Sequence, residues 1–247
     1  MQERTTGIGL MTVALIITGC GAVQSKAVTT SSRPVAVAAS PSVSPSGPTV
    51  TQRPTASRTA TPVPGRQLVT VTASSYGATE ATFVAYEQVS SKWKRVLGPW
   101  TAHVGRNGIA APGTKREGDL HTPSGTYGFS FMFGTAPNPG VSFRYRVAHS
   151  YDTWSDDSTS SYYNEWVDSR YHSPGASPEA MDGRYYKYGV VIAYNTARTP
   201  MRGSAVFLHV DHASPTTGCV TLPTAELLRV MRWLNPARSP QIQISVR

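Results

Sequence analysis

The stretch HVDHASPTTGCVTLP, residues 209–223, contains two of the six histidines and one of the two cysteines of the chain. It follows an apolar run at 205–208 that is typical of a strand, and it leads into a segment with helical periodicity. Gly218 allows the backbone to approach closely beside Cys219. Three interpretations are open: a nucleophile beside its base, a metal site, or buried side chains that only pack.

The sequence around this stretch predicts a mostly-β domain over 67–247 with a short helix after the cysteine. Alternating or apolar runs predict strands at 67–73, 81–88, 126–133, 188–195, 205–211 and 242–246, with a turn at 74–79. Residues 93–104 predict two short extended pieces, because Gly98-Pro99 interrupts them. One helix is predicted within 222–236, where the apolar residues with helical spacing are Leu227, Val230, Met231 and Leu234.

Three long connections are predicted, at 105–125, 134–140 and 152–182, and no internal repeat is visible. The third contains an aromatic and acidic run, which can either line a cleft or pack a long loop. Packing is the interpretation that we favour, with Asp156 and Asp157 solvated.

The nucleophile interpretation rests on Cys219 and His209. A cysteine attacks as its thiolate, so it needs a nearby base or positive charge and access to the substrate. His209 is expected at a strand end and Cys219 at a helix entrance, so the two side chains can face each other. The helix dipole would favour the thiolate, and the amides of Gly218 and Cys219 would form an oxyanion hole. The alternative is that His209 merely ends a strand and Cys219 packs beneath the helix.

The metal interpretation uses His209, His212 and Cys219, since imidazole and thiolate are good zinc ligands. Histidines three apart on a strand would point to opposite faces, because side chains alternate with period two. No fourth ligand lies at a recognised spacing. The sequence therefore predicts no metal in this stretch.

The N-terminal part predicts export. Residues 1–20 have an apolar core at 8–17, which is too short to span a bilayer as a mature helix. The ending ITGC (17–20) resembles a bacterial lipobox, which implies lipidation of Cys20; an ordinary signal peptide is the alternative. Residues 21–66 contain 22 Pro, Ser or Thr among 46 positions and no acid, which predicts a disordered, basic tether.

Charge and cysteine content narrow the partners. Residues 67–247 have 17 basic and 13 acidic side chains without a clustered basic stripe, so we expect no nucleic-acid partner. The basic tether suits anionic lipid or wall polymers. If Cys20 is acylated, Cys219 is the remaining thiol and has no intramolecular disulfide partner. A reactive thiol, an intermolecular disulfide and an inert buried thiol all stay open on this ground.

Several segments together resemble one family. The pattern of His209 followed by TTGCV (216–220) looks like the signature of the L,D-transpeptidase catalytic domain (YkuD type). Four other segments agree with its short actinobacterial form: VGRNG (104–108), KREGDLHTPSGTY (115–127), WSDDSTSSYYNEWV (154–167) and YGVVIAYNT (188–196). The resemblance covers nearly all of 67–247 and implies a YkuD-like β-sandwich or barrel.

The resemblance also implies a function, namely cross-linking of peptidoglycan stem peptides through a cysteine thioester, with inhibition by carbapenems. Cys219 would be the nucleophile and His209 the acid/base, with Thr216, Thr217 and Gly218 as the oxyanion or orienting group.

Two positions depart from the pattern. Thr217 stands where most members have a second histidine, and Thr221 where many have Arg or Asn, so the group that orients His209 is open. His212 is an alternative base.

Two other functions are expected as rivals. One is an L,D-carboxypeptidase, in which water replaces the amine. The other is a non-catalytic wall-binding lipoprotein. In each case the expected location is the outer face of the cytoplasmic membrane, held by the lipid on Cys20.

Overall fold

The structure is a computed structural model that describes residues 66–247. The predicted signal segment, Cys20 and the predicted tether up to residue 65 lie outside the described residues. The first seven strands are β1 (Gln67–Ala73), β2 (Glu80–Val89), β3 (Lys92–His103), β4 (Ile109–Ala110), β5 (Thr122–Pro123), β6 (Gly125–Gly134) and β7 (Tyr145–Val147). The next six are β8 (Asp152–Trp154), β9 (Trp166–Asp168), β10 (Glu179–Ala180), β11 (Gly189–Ile192), β12 (Phe207–Val210) and β13 (Val220–Leu222). The helix α1 (Thr224–Trp233), a 3₁₀ turn (Pro236–Arg238) and β14 (Gln241–Val246) complete the described chain.

Eight strands close into a barrel. Their order is β11-β12-β13-β3-β2-β1-β14-β6, and β6 pairs with β11 to complete the circle. The β1–β14 and β12–β13 pairs are parallel, and the other barrel pairs are antiparallel. The strand β7 adds to β6 outside the circle. The predicted mostly-β class with a short helix after Cys219 is therefore confirmed, and the chain forms a closed barrel.

The barrel interior and the buried face of α1 form one apolar cluster. The alternation in β1 places Val69, Val71 and Ala73 in this cluster, as expected for a strand with one buried face. Leu227, Val230 and Met231 of α1 join it, which confirms the helical spacing read from the sequence. No helix within residues 66–247 is long and apolar enough to cross a membrane.

The predicted break at Gly98-Pro99 is wrong, because β3 runs through it as one strand. The pairing of β3 with β2 shifts register between Phe83 and Ala85, opposite Gly98. Gly98 has a φ of +83°, and a Cβ there would lie 2.5 Å from the Phe83 carbonyl oxygen. A bulge absorbs the irregularity without ending the strand.

Two predicted strands are shorter than expected, and the predicted connections contain more structure. The runs at 188–195 and 205–211 reduce to β11 and β12, since Asn195 and Ala205 adopt positive φ values.

Within 152–182, β8 pairs with β9 and β10 to form a small three-stranded sheet. This sheet brings the third connection over the outer surface of β6, β11 and β12, through contacts such as that of Trp154 with Phe207.

Candidate active site

The outward face of β12 and β13 carries the polar residues of the opening stretch. The strands are parallel, with Leu208 opposite Val220 and His209 opposite Thr221. Leu208 and Val220 belong to the barrel cluster, so His209 and Thr221 point outward. Cys219 precedes β13 by one residue and belongs to a separate outer cluster with Phe207. His209 and Cys219 thus lie on one face of neighbouring strands.

Both side chains line one cavity of about 230 Å³. Its other lining residues are Arg106, Glu179, Tyr185, Tyr186, His212, Ser214, Pro215, Thr216, Thr217 and Thr221. The cavity brings together the predicted nucleophile, the predicted base and the alternative base.

Cys219 is a buried thiol. The residue is 4% exposed, and its Sγ donates a hydrogen bond to the carbonyl oxygen of Ala205 at 3.2 Å. Sγ also accepts a hydrogen bond from the backbone N–H of Phe207 at 3.4 Å. Burial raises the pKa of the thiol, and the nearby Glu179 raises it further. The resting cysteine is therefore a neutral thiol.

His209 is buried and neutral, with a fixed orientation. Its Nδ1 lies 2.9 Å from the carbonyl oxygen of Val210, and a carbonyl only accepts, so Nδ1 carries the proton. Burial lowers the pKa of His209 to about 4. The other ring nitrogen, Nε2, is left with its lone pair, as a general base requires.

The Tyr186 ring packs edge-on against the His209 imidazole, with the ring centroids 5.2 Å apart. The Val210 carbonyl and this ring together orient the His209 imidazole. Thr217 does not orient the imidazole, because its side chain is exposed and makes no hydrogen bond within the described residues. The predicted orienting role of Thr217 is not supported by these contacts.

Thr216 organises the loop before the cysteine. Its hydroxyl donates to the Cys219 carbonyl oxygen at 2.8 Å and accepts from the Gly218 N–H at 3.0 Å. The Gly218 amide is therefore engaged inside the loop, and of the two amides expected to form an oxyanion hole only that of Cys219 stays a candidate. Gly218 has a φ of +151°, which favours glycine at this position.

The expected help from the helix dipole is wrong. The strand β13 separates Cys219 from α1, whose first residue is Thr224. The dipole effect falls off within the first turn of a helix, so it does not reach the thiol. The pairing of residues 220–222 with β12 and β3 explains why this segment extends before the helix starts.

Thr221, the second position that differs from the YkuD-type pattern that the sequence resembles, supports a neighbouring acid. Its hydroxyl donates to Asp211 Oδ1 at 2.8 Å, and the same oxygen lies 2.8 Å from His103 Nδ1. Burial alone would raise the pKa of Asp211, but the hydrogen bonds from Thr221, His103 and the Ala213 N–H hold it below its usual value. This group anchors the chain directly after His209.

His212 lies at the mouth of the cavity. Its side chain is exposed, and its ring packs edge-on against Tyr185 with centroids 4.6 Å apart. The argument that His209 and His212 point to opposite faces is wrong, because β12 ends at Val210 and both line the cavity. In residues 66–247 no group of three His, Cys, Asp or Glu side chains has the geometry of a metal site.

A second cavity of about 390 Å³ shares Glu179 and Thr217 with the first and is rich in carboxyl groups. Ser204 Oγ lies 2.8 Å from both Glu117 Oε2 and Asp156 Oδ1. A hydroxyl has one proton to donate, so Ser204 donates to one of these two carboxylates at a time. Burial raises the pKa of Asp156 to about 6, and the nearby Glu117 adds to the rise. The prediction that Asp156 is solvated is wrong.

Comparisons with known proteins give no match to this chain among family models, curated proteins or solved structures.

Sequence reasoning missed the carboxyl group of Glu179 and the phenol of Tyr186. Both lie in or just after the third connection, whose Gly, Pro and Ser content gave no period that would mark an inward-facing side chain. The one signal for Tyr186 was the apolar run KYGVVI (187–192). A strand that begins there places the residues just before it next to the sheet. That signal does not indicate which side chains Tyr186 contacts, and one of them, His209, comes from a distant segment.

Proposed function

We propose that this chain is a peptidoglycan L,D-transpeptidase that forms a thioester on Cys219. The observation that carries the proposal is the arrangement of Cys219 and His209 on one outward face. Both line one cavity, and the histidine proton is held at Nδ1 by the Val210 carbonyl. A thiol and an imidazole with its proton at Nδ1, lining the same cavity, are the minimum apparatus for acyl transfer through a cysteine. The motifs that resemble the YkuD-type family support the same substrate class.

The neutral resting state decides how the thiol would be activated. Burial raises the pKa of Cys219 and lowers that of His209, so a thiolate–imidazolium pair is disfavoured before substrate binds. Sγ and Nε2 have to come together when substrate enters, with loss of the bond from Sγ to the Ala205 carbonyl. Such contacts are often incomplete in a free enzyme and close in the substrate complex. Proton transfer would then accompany attack.

In the first half-reaction, Sγ attacks the carbonyl carbon that precedes the terminal D-residue of a tetrapeptide stem, and its proton passes to Nε2 of His209. The carbonyl oxygen becomes an oxyanion, which the Cys219 N–H would stabilise. The C–N bond then breaks, the imidazolium returns the proton to the leaving amine, and D-alanine departs. The product is a thioester on Cys219.

In the second half-reaction, the side-chain amine of a diamino acid on a neighbouring stem attacks the thioester carbon. Its proton passes to His209, the C–S bond breaks and the thiol is restored. The result is a cross-link between third residues of two stems. Water in place of the amine would give the L,D-carboxypeptidase product, and neither half-reaction requires a metal or a cofactor.

The test combines an inhibitor with a product analysis. A carbapenem is expected to add its mass to the purified protein, and Cys219→Ala is expected to abolish the adduct in intact-mass spectra. Ser204→Ala, which removes a hydroxyl from the second cavity and leaves the thiol, is the matched control and should still be acylated. An unmodified wild-type protein would contradict the proposal, as would an adduct that survives in Cys219→Ala.

Muropeptide analysis then separates the enzyme classes. Incubation with tetrapeptide stems is expected to give a dimer joined between third residues together with free D-alanine. Trimmed tripeptides alone would identify a carboxypeptidase, and unchanged stems would favour a wall-binding protein without catalysis.

We also propose that the chain is a lipoprotein on the outer face of the cytoplasmic membrane. The sequence features that support this location are the apolar run at 8–17, ITGC at 17–20 and the basic segment at 21–66. Cys20→Ser is expected to move the protein out of the membrane fraction or to leave its precursor unprocessed. A variant that keeps both its lipid and its cleavage site would refute the anchor.

A further inference from the structure

Glu179 lies in the wall that the two cavities share. It is the first residue of β10 and pairs with Trp154 of β8. Its side chain borders the first cavity, where Cys219 and His209 lie, and also the second, where Asp156 lies. Glu179 thus lines the cavity that holds the thiol and the imidazole, and its charge acts on Cys219, without belonging to either strand of the site.

Tyr186 holds this carboxyl group in place. Its hydroxyl donates to Glu179 Oε1, and the residue is 3% exposed. The Tyr186 ring contacts Phe133, Phe207 and His209 edge-on, with centroid distances of 5.5, 5.7 and 5.2 Å. A phenol packed on three sides cannot swing out, so Glu179 keeps its position relative to Cys219.

The charged and titratable groups around Glu179 come from several elements. On the first-cavity side they are Cys219, His209, His212, Arg106, Tyr185 and Tyr186. On the second-cavity side they are Lys115, Glu117 and Asp156. The Lys115 ammonium is paired with Asp119, and its charge lowers the pKa of Cys219 whereas Glu179 raises it. Burial raises the pKa of Glu179 to about 7, with Asp156 and Glu117 adding to the rise against the hydrogen bond from Tyr186.

We propose that Glu179, held by Tyr186, is a positioning residue whose charge controls formation of the Cys219 thiolate. The neutral carboxyl group permits the thiolate, and the ionised carboxylate opposes it because two negative charges would share a buried site. The inference rests on the proposed role of Cys219 as the nucleophile. Its experiment measures the thiol directly, so it can fail or succeed independently of peptide transfer.

The experiment is the rate of alkylation of Cys219 by iodoacetamide in the full chain between pH 5.5 and 9.5. The thiolate displaces iodide and forms a C–S bond, so the rate follows the thiolate population. Peptide mass spectrometry assigns the adduct to Cys219 separately from Cys20. The wild-type rate is expected to rise with pH and to flatten near pH 7, as Glu179 ionises and opposes the thiolate.

Two variants and a control test whether the charge of Glu179 causes this inflection. Glu179→Gln is expected to lose the inflection and to react about tenfold faster above pH 8, as for the removal of one nearby like charge. Tyr186→Phe removes the hydrogen bond that favours the ionised carboxylate, so its inflection is expected at higher pH than in the wild type. Glu226→Gln removes a carboxylate from the first turn of α1 and is expected to keep the wild-type profile.

An identical pH profile in Glu179→Gln and the wild type would overturn the proposal. A uniform acceleration at every pH with the inflection retained would also overturn it, because it would show that the change only loosens the packing. If the alkylation profile behaves as expected and no carbapenem adduct forms, the proposed function fails and the charge control stands.

Discussion

The inward and outward faces of β12 and β13 are built from alternating residues of the same short strands, yet their side chains are stabilised by different forces. The inward residues Leu208, Val210, Val220 and Leu222 join the barrel core, where no side-chain hydrogen bond is needed. The outward residues His209, Cys219 and Thr221 are also buried, and each polar group has a specific partner.

This difference has a physical cause. Burial of an apolar side chain is favourable in proportion to the area removed from water, whereas a buried polar group costs free energy unless it is hydrogen-bonded. The outward face has to be covered by the small sheet of β8, β9 and β10 and by Tyr186, and that cover desolvates the imidazole and the thiol. The packing that excludes water is therefore also what holds both groups neutral.

The largest effect on stability is expected on the inward face. Leu208→Ala should lower the free energy of unfolding by about 2–5 kcal/mol, because the side chain is fully buried in the barrel cluster and its loss leaves a cavity. Urea denaturation at several pH values measures this loss, which should not depend on pH. Leu228→Ala on the half-buried side of α1 is the control and should cost less. Equal losses in the two variants would show that full burial in the barrel cluster does not set the cost of removing a leucine.

A different dependence on pH is expected for His209. Because its pKa falls from 6.5 to about 4 on folding, the unfolded chain binds a proton between these values and the folded protein does not. The free energy of unfolding therefore decreases as pH falls through this window, by about 3 kcal/mol from this residue. His209→Asn cannot titrate, and its amide can still donate to the Val210 carbonyl.

Urea unfolding of His209→Asn and the wild type at pH 7 and at pH 4 tests this point. The wild type is expected to lose its advantage over the variant as the pH falls. A constant difference between the two proteins at all pH values would show that the imidazole is not buried neutral.

The barrel strands were largely predictable from the sequence, because the alternation of apolar and polar residues within a strand indicates which of its faces is buried. In β1 the alternation of Val69 and Val71 with polar residues reports directly which face is buried. The helix could be read from the spacing of Leu227, Val230 and Met231 in the same way. Gly98-Pro99 misled the prediction, because the two residues form a bulge within β3, and only the pairing of β3 with β2 shows that the strand continues through them.

The site was predictable only in part, since its chemistry depends on contacts between distant segments. Cys219 and His209 could be singled out by residue type and spacing. The strand β13 was missed because VTL (220–222) adjoins a helical pattern, and only its pairing with β12 and β3 extends it. Glu179 is 40 residues from Cys219 in sequence, and no short-range pattern connects them.

The third prediction concerns the polar network beside His209. Thr221→Val keeps the shape of a buried side chain and removes the donor to Asp211, which should cost about 1–3 kcal/mol at pH 7. The pKa of Asp211 is held below its usual value, so the stability that its hydrogen bonds contribute is present above about pH 4. It is lost as the pH falls through the lower pKa of the folded protein.

Unfolding at pH 7 and at pH 3 is therefore expected to show a smaller difference between Thr221→Val and the wild type at the lower pH. Thr82→Val on β2 is the control, because the Thr82 hydroxyl makes no hydrogen bond in the part of the chain described. If Thr221→Val is as stable as the wild type at pH 7, the outward face does not need this partner.

The smallest effect is expected at Thr217, the loop residue two positions before Cys219. Its exposed side chain has no hydrogen bond within residues 66–247, so Thr217→Ala should change stability by less than about 0.5 kcal/mol. Carbapenem acylation, measured as the rate of adduct formation, should change by less than about twofold, which corresponds to a change of about 0.5 kcal/mol in the activation free energy.

Thr216→Ala is the matched comparison, because the neighbouring hydroxyl holds both the Gly218 amide and the Cys219 carbonyl oxygen. It should lower stability by about 1 kcal/mol or more and slow acylation more than Thr217→Ala does. If Thr217→Ala were the slower of the two, the orientation of His209 would depend on the loop residue. The Val210 carbonyl would then not be sufficient to set the reactive tautomer, and the outward face would need a partner from outside its own strands.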